Sequence, residues 1–373
     1  MRVVFDHQCF QDQAAGGVSR YASRLVEALR ASPGVTVTGW AGWHLARPPA
    51  GFGGRRVGTR WLSGMTAISR LARLGNAIRF ERWARRREAE VYHATYYRSF
   101  RVPEGWARVV TAHDCIHELF PDTGGNELAM KREAFARADA IICVSERTRA
   151  DVIKYYGVRE DKLAVVHHGG GLGVAAGGAA GAAGAAPLRE RPYVLYVGRR
   201  DGYKNFELLL RLWAEEPSLR EACDLVCVGG EPGSQAMRQA GIVWVERASD
   251  AELAQWYAAA TALVYPSRYE GFGLPVLEAM EAGCPVITTR CGAIPEAAGD
   301  AACYCDPDDG REWAGAIRRL LTHGDERAIW AARGRQRAGR FSWSRCAGET
   351  LAVYEKARTE RARARAEKGG TRR

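Results

Sequence analysis

The chain has 373 residues, of which 47% are hydrophobic and 26% charged, and this length and apolar content favour two globular domains over one. No apolar run approaches the roughly 18 residues of a membrane span, and the N-terminal MRVVFDHQCF lacks the pattern of a signal peptide, so we expect a cytoplasmic protein. The net charge of +11 is concentrated in residues 55–87, with ten arginines and one glutamate, and residues 354–373, with eight basic and three acidic side chains. The remainder is slightly acidic, which excludes a general polyanion binder.

The ten cysteines are scattered from Cys9 to Cys346. They lack the paired CxxC spacing of a structural zinc site. Because the chain shows no export signal, we interpret them as reduced thiols. We expect no metal site.

The N-terminal half alternates short apolar runs with helix-like segments. Val3 to Phe5 predicts a buried strand, and apolar residues recur at helical spacing from Val18 to Leu29. The runs ARVVTAHD and ADAIICVS predict further strands. This alternation is typical of a parallel sheet covered by helices on both faces.

An apolar stripe at helical spacing runs through the basic segment 55–87. The stripe consists of Ile68, Leu71, Leu74 and Ile78, and the arginines between its members are Arg70, Arg73 and Arg79. Apolar residues edged by cations favour docking on an anionic membrane surface. The alternative is an ordinary amphipathic helix that packs its stripe on the domain core and leaves its arginines in water.

Residues 169–187 contain almost only glycine and alanine, which predicts a flexible connector. Strand-like runs then resume as PYVLYVG, DLVCVGG, GIVWV, TALVYPS and PVITT. We therefore predict a first doubly wound domain at 1–168, a linker at 169–190, a second doubly wound domain at 191–340, and a closing helix with a basic tail at 341–373. The carboxyl ends of both sets of strands would surround one cleft, where ligands usually bind.

The most informative motif is YPSRYEGFGLPVLEAMEAGCPVI. A strand is predicted to end at Tyr265, Gly271 and Gly273 follow in a loop, and Pro275 begins a helix. Loop glycines let backbone amides approach a ligand closely, and the positive end of a helix dipole favours a phosphate. The motif therefore predicts a diphosphate cradle.

Two carboxylates bracket this cradle, Glu270 before the helix and Glu278 in its opening turns. A carboxylate can accept hydrogen bonds from two neighbouring sugar hydroxyls, which suits recognition on either side of a diphosphate. The alternative for Glu278 is an acid that only stabilises the start of the helix.

Arg199 and Lys204, in YVGRRDGYKNFELLL, follow a predicted strand and precede a helix. Arginine offers a planar fork to phosphate oxygens and lysine a mobile point charge, so the pair suits a departing diphosphate. The neighbouring Arg200 leaves open which arginine takes the phosphate.

In order, these motifs resemble the family 4 glycosyltransferases of the GT-B fold over nearly the whole chain. GGVSRY at Gly16–Tyr21 resembles the family's glycine loop near the donor, and TAHD at Thr111–Asp114 resembles its active-site histidine segment. VGRRDGYKN resembles the phosphate-binding arginine and lysine, with Arg199 as the matched arginine. EGFGLPVLE resembles the signature of two glutamates separated by seven residues, and FSWSRCAGETLAVY, with Trp343, resembles the closing helix.

The resemblance implies an α/β GT-B fold, with two doubly wound Rossmann-like domains facing a central cleft. It assigns catalytic roles to His113, Arg199, Lys204 and Glu270. It assigns donor binding to Gly16, Gly17, Arg199, Lys204, Glu270, Gly271, Phe272, Gly273, Leu274 and Glu278. In this assignment Glu270 lies at the transferred sugar and Glu278 at the nucleotide ribose.

The resemblance also implies transfer with retention of anomeric configuration from a nucleotide diphosphate sugar. Cationic side chains and backbone amides would stabilise the leaving diphosphate without a metal, and we interpret Asp306, Pro307 and Asp308 as a turn instead of metal ligands. The segments FDHQCFQDQAAGGVSRY and HATYY, at His93–Tyr97, most resemble bacterial enzymes of surface polysaccharide assembly (O-antigen, lipopolysaccharide or exopolysaccharide). These are often mannosyltransferases, which favours GDP-mannose over UDP- and dTDP-sugars, a lipid-linked saccharide acceptor, and a peripheral position at the inner face of the cytoplasmic membrane.

Two other functions stay open at this point. A nucleotide-sugar epimerase or phosphorylase could share the fold, since a fold does not fix a reaction. A membrane or nucleic-acid binding protein could use the basic segments, although these lack the stacked aromatics of a nucleic-acid reader, and we expect no specific nucleic-acid partner.

Overall fold

The structure is a computed structural model that describes residues 1–11, 16–57, 67–121, 125–172, 189–200, 202–230 and 241–370. The chain divides into two compact units. Unit 1 combines Met1–Gly169 with Trp343–Arg373, and unit 2 is the continuous stretch Gly170–Ser342. Most of the predicted linker and the part of the basic segment at 58–66 lie outside the described residues.

Unit 1 is built on a parallel sheet. Its seven strands among the described residues are β1 (Arg2–Phe5), β2 (Thr36–His44), β3 (Gly53–Arg56), β4 (Val91–Ala94), β5 (Ala107–Ala112), β6 (Ala140–Cys143) and β7 (Leu163–Val165). They lie in the order β3-β2-β1-β4-β5-β6-β7, and neighbouring strands are parallel. The apolar residues of β4 and β6 are all buried, as expected for strands with helices on both faces.

Helices follow the strands of unit 1. They are α1 (Gln8–Gln11), α2 (Gly17–Arg30), α3 (Ala67–Ala84), α4 (Ile116–Leu119), α5 (Glu127–Arg137) and α6 (Glu146–Tyr156). Helix α2 buries Tyr21, Leu25 and Leu29 on one face, which confirms the helical spacing read from the sequence.

Helix α3 turns its apolar stripe outward. It buries Ser69, Ala72, Asn76, Phe80 and Ala84 and exposes Ile68, Leu71, Leu74 and Ile78, each by more than half. The Asn76 amide fixes this orientation, because it accepts a hydrogen bond from the Trp43 N–H at 3.0 Å and donates one to the Trp43 carbonyl at 2.9 Å. The alternative in which the stripe packs on the core is therefore wrong. Among the described helices, none is long and apolar enough to cross a membrane.

Unit 2 repeats the same architecture. Its six strands among the described residues are β8 (Tyr193–Val197), β9 (Asp224–Val228), β10 (Ile242–Val245), β11 (Ala262–Tyr265), β12 (Val286–Thr288) and β13 (Cys303–Tyr304), in the order β10-β9-β8-β11-β12-β13. Its helices are α7 (Phe206–Glu215), α8 (Pro217–Ala222), α9 (Asp250–Ala259), α10 (Leu274–Glu281), α11 (Ile294–Ala298), α12 (Gly310–Thr322) and α13 (Gly324–Ala338). All neighbouring strands are parallel, so both sheets are of the doubly wound type that the sequence predicts.

The C-terminal helix α14 (Trp343–Gly370) belongs to unit 1. Its buried residues Cys346, Ala347, Tyr354 and Ala357 join the apolar cluster that contains residues of β1 and α2. The last stretch of the sequence therefore completes the core begun by the first.

Candidate active site

The loops after β8 and β11 meet because these two strands are neighbours in the sheet of unit 2. Lys204 ends a 3-10 turn at Gly202–Lys204 after β8, and Glu270 lies in the loop after β11. Lys204 Nζ lies 2.6 Å from Glu270 Oε1 in a largely buried ion pair. The structure thus joins two residues that the sequence assigns to different parts of a donor.

Tyr265, the last residue of β11, completes this pair. Its hydroxyl donates to the same Glu270 Oε1 at 2.7 Å and lies 3.3 Å from Lys204 Nζ. Burial, together with the nearby Glu270 carboxylate, raises the pKa of Tyr265 well above its usual range, so the phenol stays protonated and acts as the donor. The Lys204–Tyr265–Glu270 cluster is a carboxylate held by one charged and one neutral donor.

The backbone of Glu270 is held as firmly as its side chain. The Ala293 N–H donates to the Glu270 carbonyl at 3.0 Å. A Cβ on the preceding Gly292 would lie 2.6 Å from the Glu270 nitrogen, and Gly292 has a φ of +59°. Only glycine permits this approach without strain.

The diphosphate cradle has the predicted geometry of a helix N-terminus preceded by glycine. Gly273 is the N-cap of α10 with a φ of +106°, in the left-handed region. The helix begins at Leu274, one residue earlier than the sequence suggests, and Pro275 occupies its first turn. Gly271 and Phe272 lie in the loop just before it, with Phe272 buried. Pro275 has no N–H and the Val276 N–H donates to the Gly273 carbonyl at 3.0 Å, so the predicted phosphate contacts are the loop amides from Gly271 to Leu274 at the positive end of the helix.

Glu278 lies on the buried side of helix α10. Its side chain is buried, and its Oε2 accepts a hydrogen bond from the Tyr257 hydroxyl at 3.0 Å. This burial excludes a solvated acid, and a role of Glu278 in donor binding stays a prediction. The carboxylate is fixed by a tyrosine from the neighbouring helix α9.

The structure separates the roles of the two arginines after β8. Arg200 lies with its guanidinium 4.1 Å from the centre of the Trp244 ring and donates to the Gly229 carbonyl at 2.7 Å. Burial lowers the pKa of Arg200. Arg199 is exposed, which makes it the better placed of the two for a ligand, as the family match suggests.

Unit 1 carries the other predicted residues, Gly16, Gly17 and His113. Gly16 and Gly17 begin α2, and His113 directly follows β5. The two motifs meet through Tyr21 of α2, whose ring centre lies 5.3 Å from that of His113 in an edge-on contact. The structure thus joins GGVSRY to TAHD within unit 1.

His113 is a buried, neutral imidazole at ordinary pH. Burial lowers its pKa to about 4, although the nearby Asp114 acts in the opposite direction. Its backbone N–H donates to the Tyr97 hydroxyl at 3.0 Å. A neutral imidazole can exchange hydrogen bonds with a sugar hydroxyl without carrying a charge.

A network of buried hydrogen bonds holds Tyr21, which contacts His113. The Tyr21 hydroxyl lies 3.2 Å from Thr111 Oγ1, His93 Nε2 lies 2.8 Å from the same oxygen, and His93 Nδ1 lies 2.5 Å from the Tyr354 hydroxyl. Burial lowers the pKa of His93 to about 3. This hydrogen-bond network connects α2, β4 and β5 to the C-terminal helix α14.

The acidic run at 306–309 forms a turn, as the sequence predicts. Asp309 caps α12 by accepting from the N–H groups of Arg311 and Glu312, and the Asp308 N–H donates to Asp306 Oδ1 at 2.8 Å. Within the described part of the chain, histidines, cysteines and carboxylates form no cluster of three that could hold a metal ion.

Three residues of the unit 2 site escaped the sequence analysis. Tyr265 and Tyr257 each hold a glutamate of the site, and Gly292 allows the backbone approach. The position of Tyr265 at the end of a predicted strand was a usable signal, because loops at strand ends carry sites. Tyr257 and Gly292 carry no such signal.

Comparisons with known proteins agree with this architecture. Residues 15–169 match the family model described as Glycosyltransferase Family 4, and residues 191–323 match the one described as Glycosyl transferases group 1. A solved structure, sucrose-phosphate synthase from Thermosynechococcus elongatus, superposes with a TM-score of 0.74 at 21% identity over 95% of this chain and 98% of that one.

Two curated relatives are similar over part of the sequence. O-antigen chain mannosyltransferase B from Escherichia coli is 34% identical over 173 residues, which cover 44% of this chain and 45% of that protein. A D-inositol 3-phosphate glycosyltransferase from Kineococcus radiotolerans is 30% identical over 272 residues, or 65% of this chain and 62% of that protein. The chain thus matches about half to three fifths of the length of these relatives. With both halves matched by glycosyltransferase models and two doubly wound sheets in the structure, the chain belongs to the family 4 glycosyltransferases and has the GT-B fold.

Proposed function

We propose that this protein is a retaining glycosyltransferase that moves a hexose, with mannose favoured, from a nucleotide diphosphate sugar to a lipid-linked saccharide. The product would be part of a bacterial surface polysaccharide. The observation that carries the proposal is the Lys204–Tyr265–Glu270 cluster beside the glycine-capped N-terminus of α10. A cation and a fixed carboxylate thus lie beside the positive end of a helix in unit 2.

The cations and amides act on the leaving group. As the bond between the anomeric carbon and the diphosphate breaks, its electron pair stays on the phosphate oxygen. Arg199, Lys204 and the backbone amides from Gly271 to Leu274, at the positive end of α10, stabilise the growing negative charge. Preorganised donors of this kind remove the need for a divalent ion.

The two glutamates act on either side of that group. Glu270 accepts hydrogen bonds from hydroxyls of the transferred sugar, and Glu278 accepts them from the nucleotide ribose. An incoming diphosphate competes with Glu270 for the Lys204 ammonium. Tyr265 keeps the carboxylate in place when Lys204 turns to the phosphate.

A catalytic role is proposed for His113, a residue of unit 1. Its neutral imidazole hydrogen-bonds a sugar hydroxyl and steadies an oxocarbenium-like transition state. Gly16 and Gly17 let the backbone at the start of α2 approach the donor.

The relatives support the choice of sugar and acceptor. The O-antigen enzyme is named as a mannosyltransferase, which favours GDP-mannose over UDP- and dTDP-sugars and a lipid-linked saccharide as acceptor. The inositol 3-phosphate enzyme supports a phosphorylated cyclitol as the second candidate acceptor.

The outward face of α3 supports a peripheral position at the inner face of the cytoplasmic membrane. Its apolar stripe is exposed, and beside it lies a surface hollow of about 480 Å³. The hollow is lined by Gly75, Ile78, Arg79, Arg82, Trp83, Arg86 and Arg87. Apolar side chains next to a cluster of arginines fit an anionic bilayer. The apolar side chains would enter the boundary of the acyl region, and the arginines would contact the anionic headgroups.

Two assays test the proposal. Purified protein is first compared in thermal melts with GDP-, UDP- and dTDP-sugars, because a ligand that binds only the folded state raises the melting temperature. The stabilising donor is then incubated with a lipid-linked saccharide or with an inositol phosphate, with and without EDTA. We expect acceptor-dependent transfer to the lipid-linked saccharide that survives EDTA.

Three other outcomes would each contradict part of the proposal. Epimerised or phosphorolysed donor without acceptor-dependent transfer would identify the rival enzyme classes. Loss of transfer in EDTA, restored by magnesium or manganese, would overturn the metal-independent mechanism. Transfer only to the inositol phosphate would replace the proposed acceptor.

A further inference from the structure

Cys303 and Cys305 form a thiol pair at the edge of the unit 2 sheet. Cys303 begins β13, the last strand in the sheet order, and the Cys305 N–H continues its ladder by donating to the Thr288 carbonyl at 2.8 Å. Residues two apart on a strand point to the same face. Their Cα atoms are separated by roughly 6.6 Å at the usual strand rise, at the upper end of the range for disulfides, so closing the bond must bend the end of the strand and bring the two Cβ atoms together.

The surroundings give the two sulfurs different reactivity. Cys303 is partly exposed and accepts a hydrogen bond from Arg319 Nη2 at 3.4 Å, whereas Cys305 is buried. The neighbouring Cys305 thiol and the charge of Arg319 lower the pKa of the Cys303 thiol, and the neighbouring Cys303 raises the pKa of Cys305. A thiolate on the accessible partner beside a protonated, buried partner is the arrangement of a reactive and a resolving cysteine.

Charged groups around the pair hold this arrangement in place. Arg319 lies on α12, and its Nε pairs with Glu326 of α13 at 2.9 Å. The carboxylate of Glu326 opposes the Cys303 thiolate and that of Glu312 acts on Cys305, so Arg319 is the charged side chain that favours the Cys303 thiolate.

The other cysteines lack this combination. Burial raises the pKa of six of them, namely Cys115, Cys143, Cys223, Cys227, Cys284 and Cys346. Cys291 is also partly exposed and serves as a matched thiol for comparison.

We propose that Cys303 and Cys305 are a site of reversible oxidation by hydrogen peroxide. The Cys303 thiolate attacks the peroxide, which forms a sulfenic acid and releases water once a proton is taken up. The Cys305 thiol then attacks the sulfenic sulfur, a second water leaves, and a disulfide remains. The two thiols lose two electrons and two protons in total, and the hydrogen peroxide is reduced. A dithiol reductant restores the pair.

The pair lies next to a segment that supports the donor site. The loop after Cys305 accepts a hydrogen bond at the Pro307 carbonyl from Asn205 Nδ2, at 2.7 Å, and Asn205 directly follows Lys204. The Asp308 carboxylate in the same loop pairs with the Arg268 guanidinium. The backbone N–H of Arg268 in turn donates to the Tyr203 carbonyl at 2.8 Å. A disulfide that draws Cys305 toward Cys303 moves this loop and weakens binding of the nucleotide diphosphate. This consequence rests on the proposed function, whereas the oxidation site does not.

Peptide mass spectrometry of the full-length protein tests the site. Reduced protein is treated with hydrogen peroxide at neutral pH, blocked with an alkylating reagent and digested with trypsin. Residues 291–311 form one tryptic peptide that contains Cys291, Cys303 and Cys305. We expect it to lose the mass of two hydrogen atoms, with fragment ions that place the bond between Cys303 and Cys305 and leave Cys291 alkylated.

Four variants sharpen the result. Cys305→Ser should stop at a sulfenic acid on Cys303 that dimedone traps, and Cys303→Ser should abolish the reaction. Arg319→Gln should slow it several-fold, whereas Cys291→Ser should react like the wild type. Circular dichroism checks that each variant is folded. Equal oxidation in Cys303→Ser, or preferential oxidation of Cys291, would overturn the site.

Nucleotide binding is measured separately. Oxidised wild type should bind GDP or UDP several-fold more weakly than reduced wild type and recover with dithiothreitol, whereas Cys303→Ser should not respond to peroxide. A disulfide that leaves nucleotide binding unchanged would overturn the link to the donor site. Failure of the reduced protein to bind any nucleotide would instead contradict the proposed function.

Discussion

The carboxylate of Glu270 depends on two donors of different kinds. Lys204 contributes a charge that an incoming phosphate can draw away, and Tyr265 contributes a neutral hydroxyl that a phosphate does not attract in the same way. The tyrosine is therefore the donor that keeps Glu270 oriented when a sugar is bound. We regard it as a positioning residue.

Replacing Tyr265 by phenylalanine should separate turnover from donor affinity. The ring still fills its buried place, but a hydrogen bond to a charged group contributes about 2 kcal/mol, so kcat should fall about thirtyfold while the donor KM changes little. Steady-state kinetics measure both constants. A purely structural role would instead lower the melting temperature without this split in the constants.

Lys204 and Glu270 should have different effects despite their contact. Lys204→Ala, like Glu278→Ala, should weaken donor binding by roughly tenfold or more through the loss of a charged contact. Glu270→Gln should act chiefly on kcat, because its contacts are to the moving sugar. Isothermal titration and initial rates separate the two effects, and Lys154→Ala, at an exposed lysine of α6, is the matched control. Wild-type turnover in the Glu270 variant would contradict the assignment.

His93 should make folding sensitive to acid. The folded-state pKa is about 3, below the ordinary 6.5, so the unfolded chain takes up a proton first as the pH falls. The stabilisation by the neutral ring is complete above pH 6.5 and is lost progressively toward pH 3. Between pH 7 and pH 5 this amounts to about 2 kcal/mol.

Urea unfolding at the two pH values measures this effect. The midpoint of His93→Gln should fall less between pH 7 and pH 5 than that of the wild type, because glutamine does not titrate. His323→Gln, at an exposed histidine directly after α12, should behave like the wild type. Equal pH dependence in His93→Gln and wild type would show that His93 does not cause the acid sensitivity.

The sequence predicts those residues of the site that follow strands or start helices, and it misses those that support them. Arg199, Lys204, Glu270 and the start of α10 follow from loops at strand ends. Tyr257 holds Glu278 from another helix, and that contact depends on how α9 packs against α10. Long-range packing of this kind has no local periodicity to reveal it.

At the scale of elements, α3 shows why an amphipathic pattern does not identify its buried face. One face of the helix is mixed, with Ala72, Asn76 and Phe80, and it is this face that is buried, whereas the face of Ile68, Leu71, Leu74 and Ile78 is exposed. The amide of Asn76 needs partners in the interior and finds them on Trp43 and Gln11. The large apolar residues are left outside.

Vesicle binding tests the outer face of α3. Wild type should sediment with vesicles that contain phosphatidylglycerol at low salt and be released at high salt. A variant with Arg70→Glu, Arg82→Glu and Arg86→Glu should bind about a hundredfold more weakly, since each cation near an anionic surface contributes about 1 kcal/mol. These three arginines are exposed, whereas Arg79 lies over the Trp43 ring and is left unchanged.

Two further variants separate charge from apolar contact and from location. Leu71→Gln with Leu74→Gln should weaken binding at all salt concentrations, because the loss is apolar. Arg363→Glu with Arg365→Glu, in the exposed part of α14, should bind like the wild type. Equal sedimentation of every variant, or no binding by the wild type at low salt, would rule out α3 as the membrane-binding face.

Most strands could be predicted because buried parallel strands are short and continuously apolar. Five of the described strands, β2, β3, β4, β7 and β13, were not predicted, and β3, with the sequence GGRR and all four residues exposed, has no apolar run at all. It becomes a strand by pairing with the end of β2, which is a tertiary effect that residue propensity does not carry. The start of α10 was predicted to within one residue because proline and glycine mark it locally.

At the scale of the whole molecule, the two units differ in which parts of the chain form them. Unit 2 is one continuous stretch, and unit 1 needs both ends of the chain. The C-terminal helix places Tyr354 against His93 and adds Cys346 and Ala357 to the core around β1. Loss of that helix would expose apolar surface on unit 1 alone.

A chain that ends at Ser342 should therefore show selective damage. We expect unit 2 to keep its protection against hydrogen exchange, while β1, β4 and α2 lose theirs, because a buried aromatic residue and its neighbours are removed from one core only. Exchange mass spectrometry on the full and shortened proteins gives the comparison. Unchanged protection of β1 would show that α14 is dispensable for that core.

The discontinuity of unit 1 also sets an order of events on the ribosome. Domains usually fold as units while synthesis proceeds, the N-terminal one first. Here the core of unit 1 can close only after unit 2 has been made, because α14 follows unit 2 in the chain. Unit 2 can be complete while the sheet of unit 1 still lacks its covering helix, so the N-terminal half stays partly open until α14 has been synthesised.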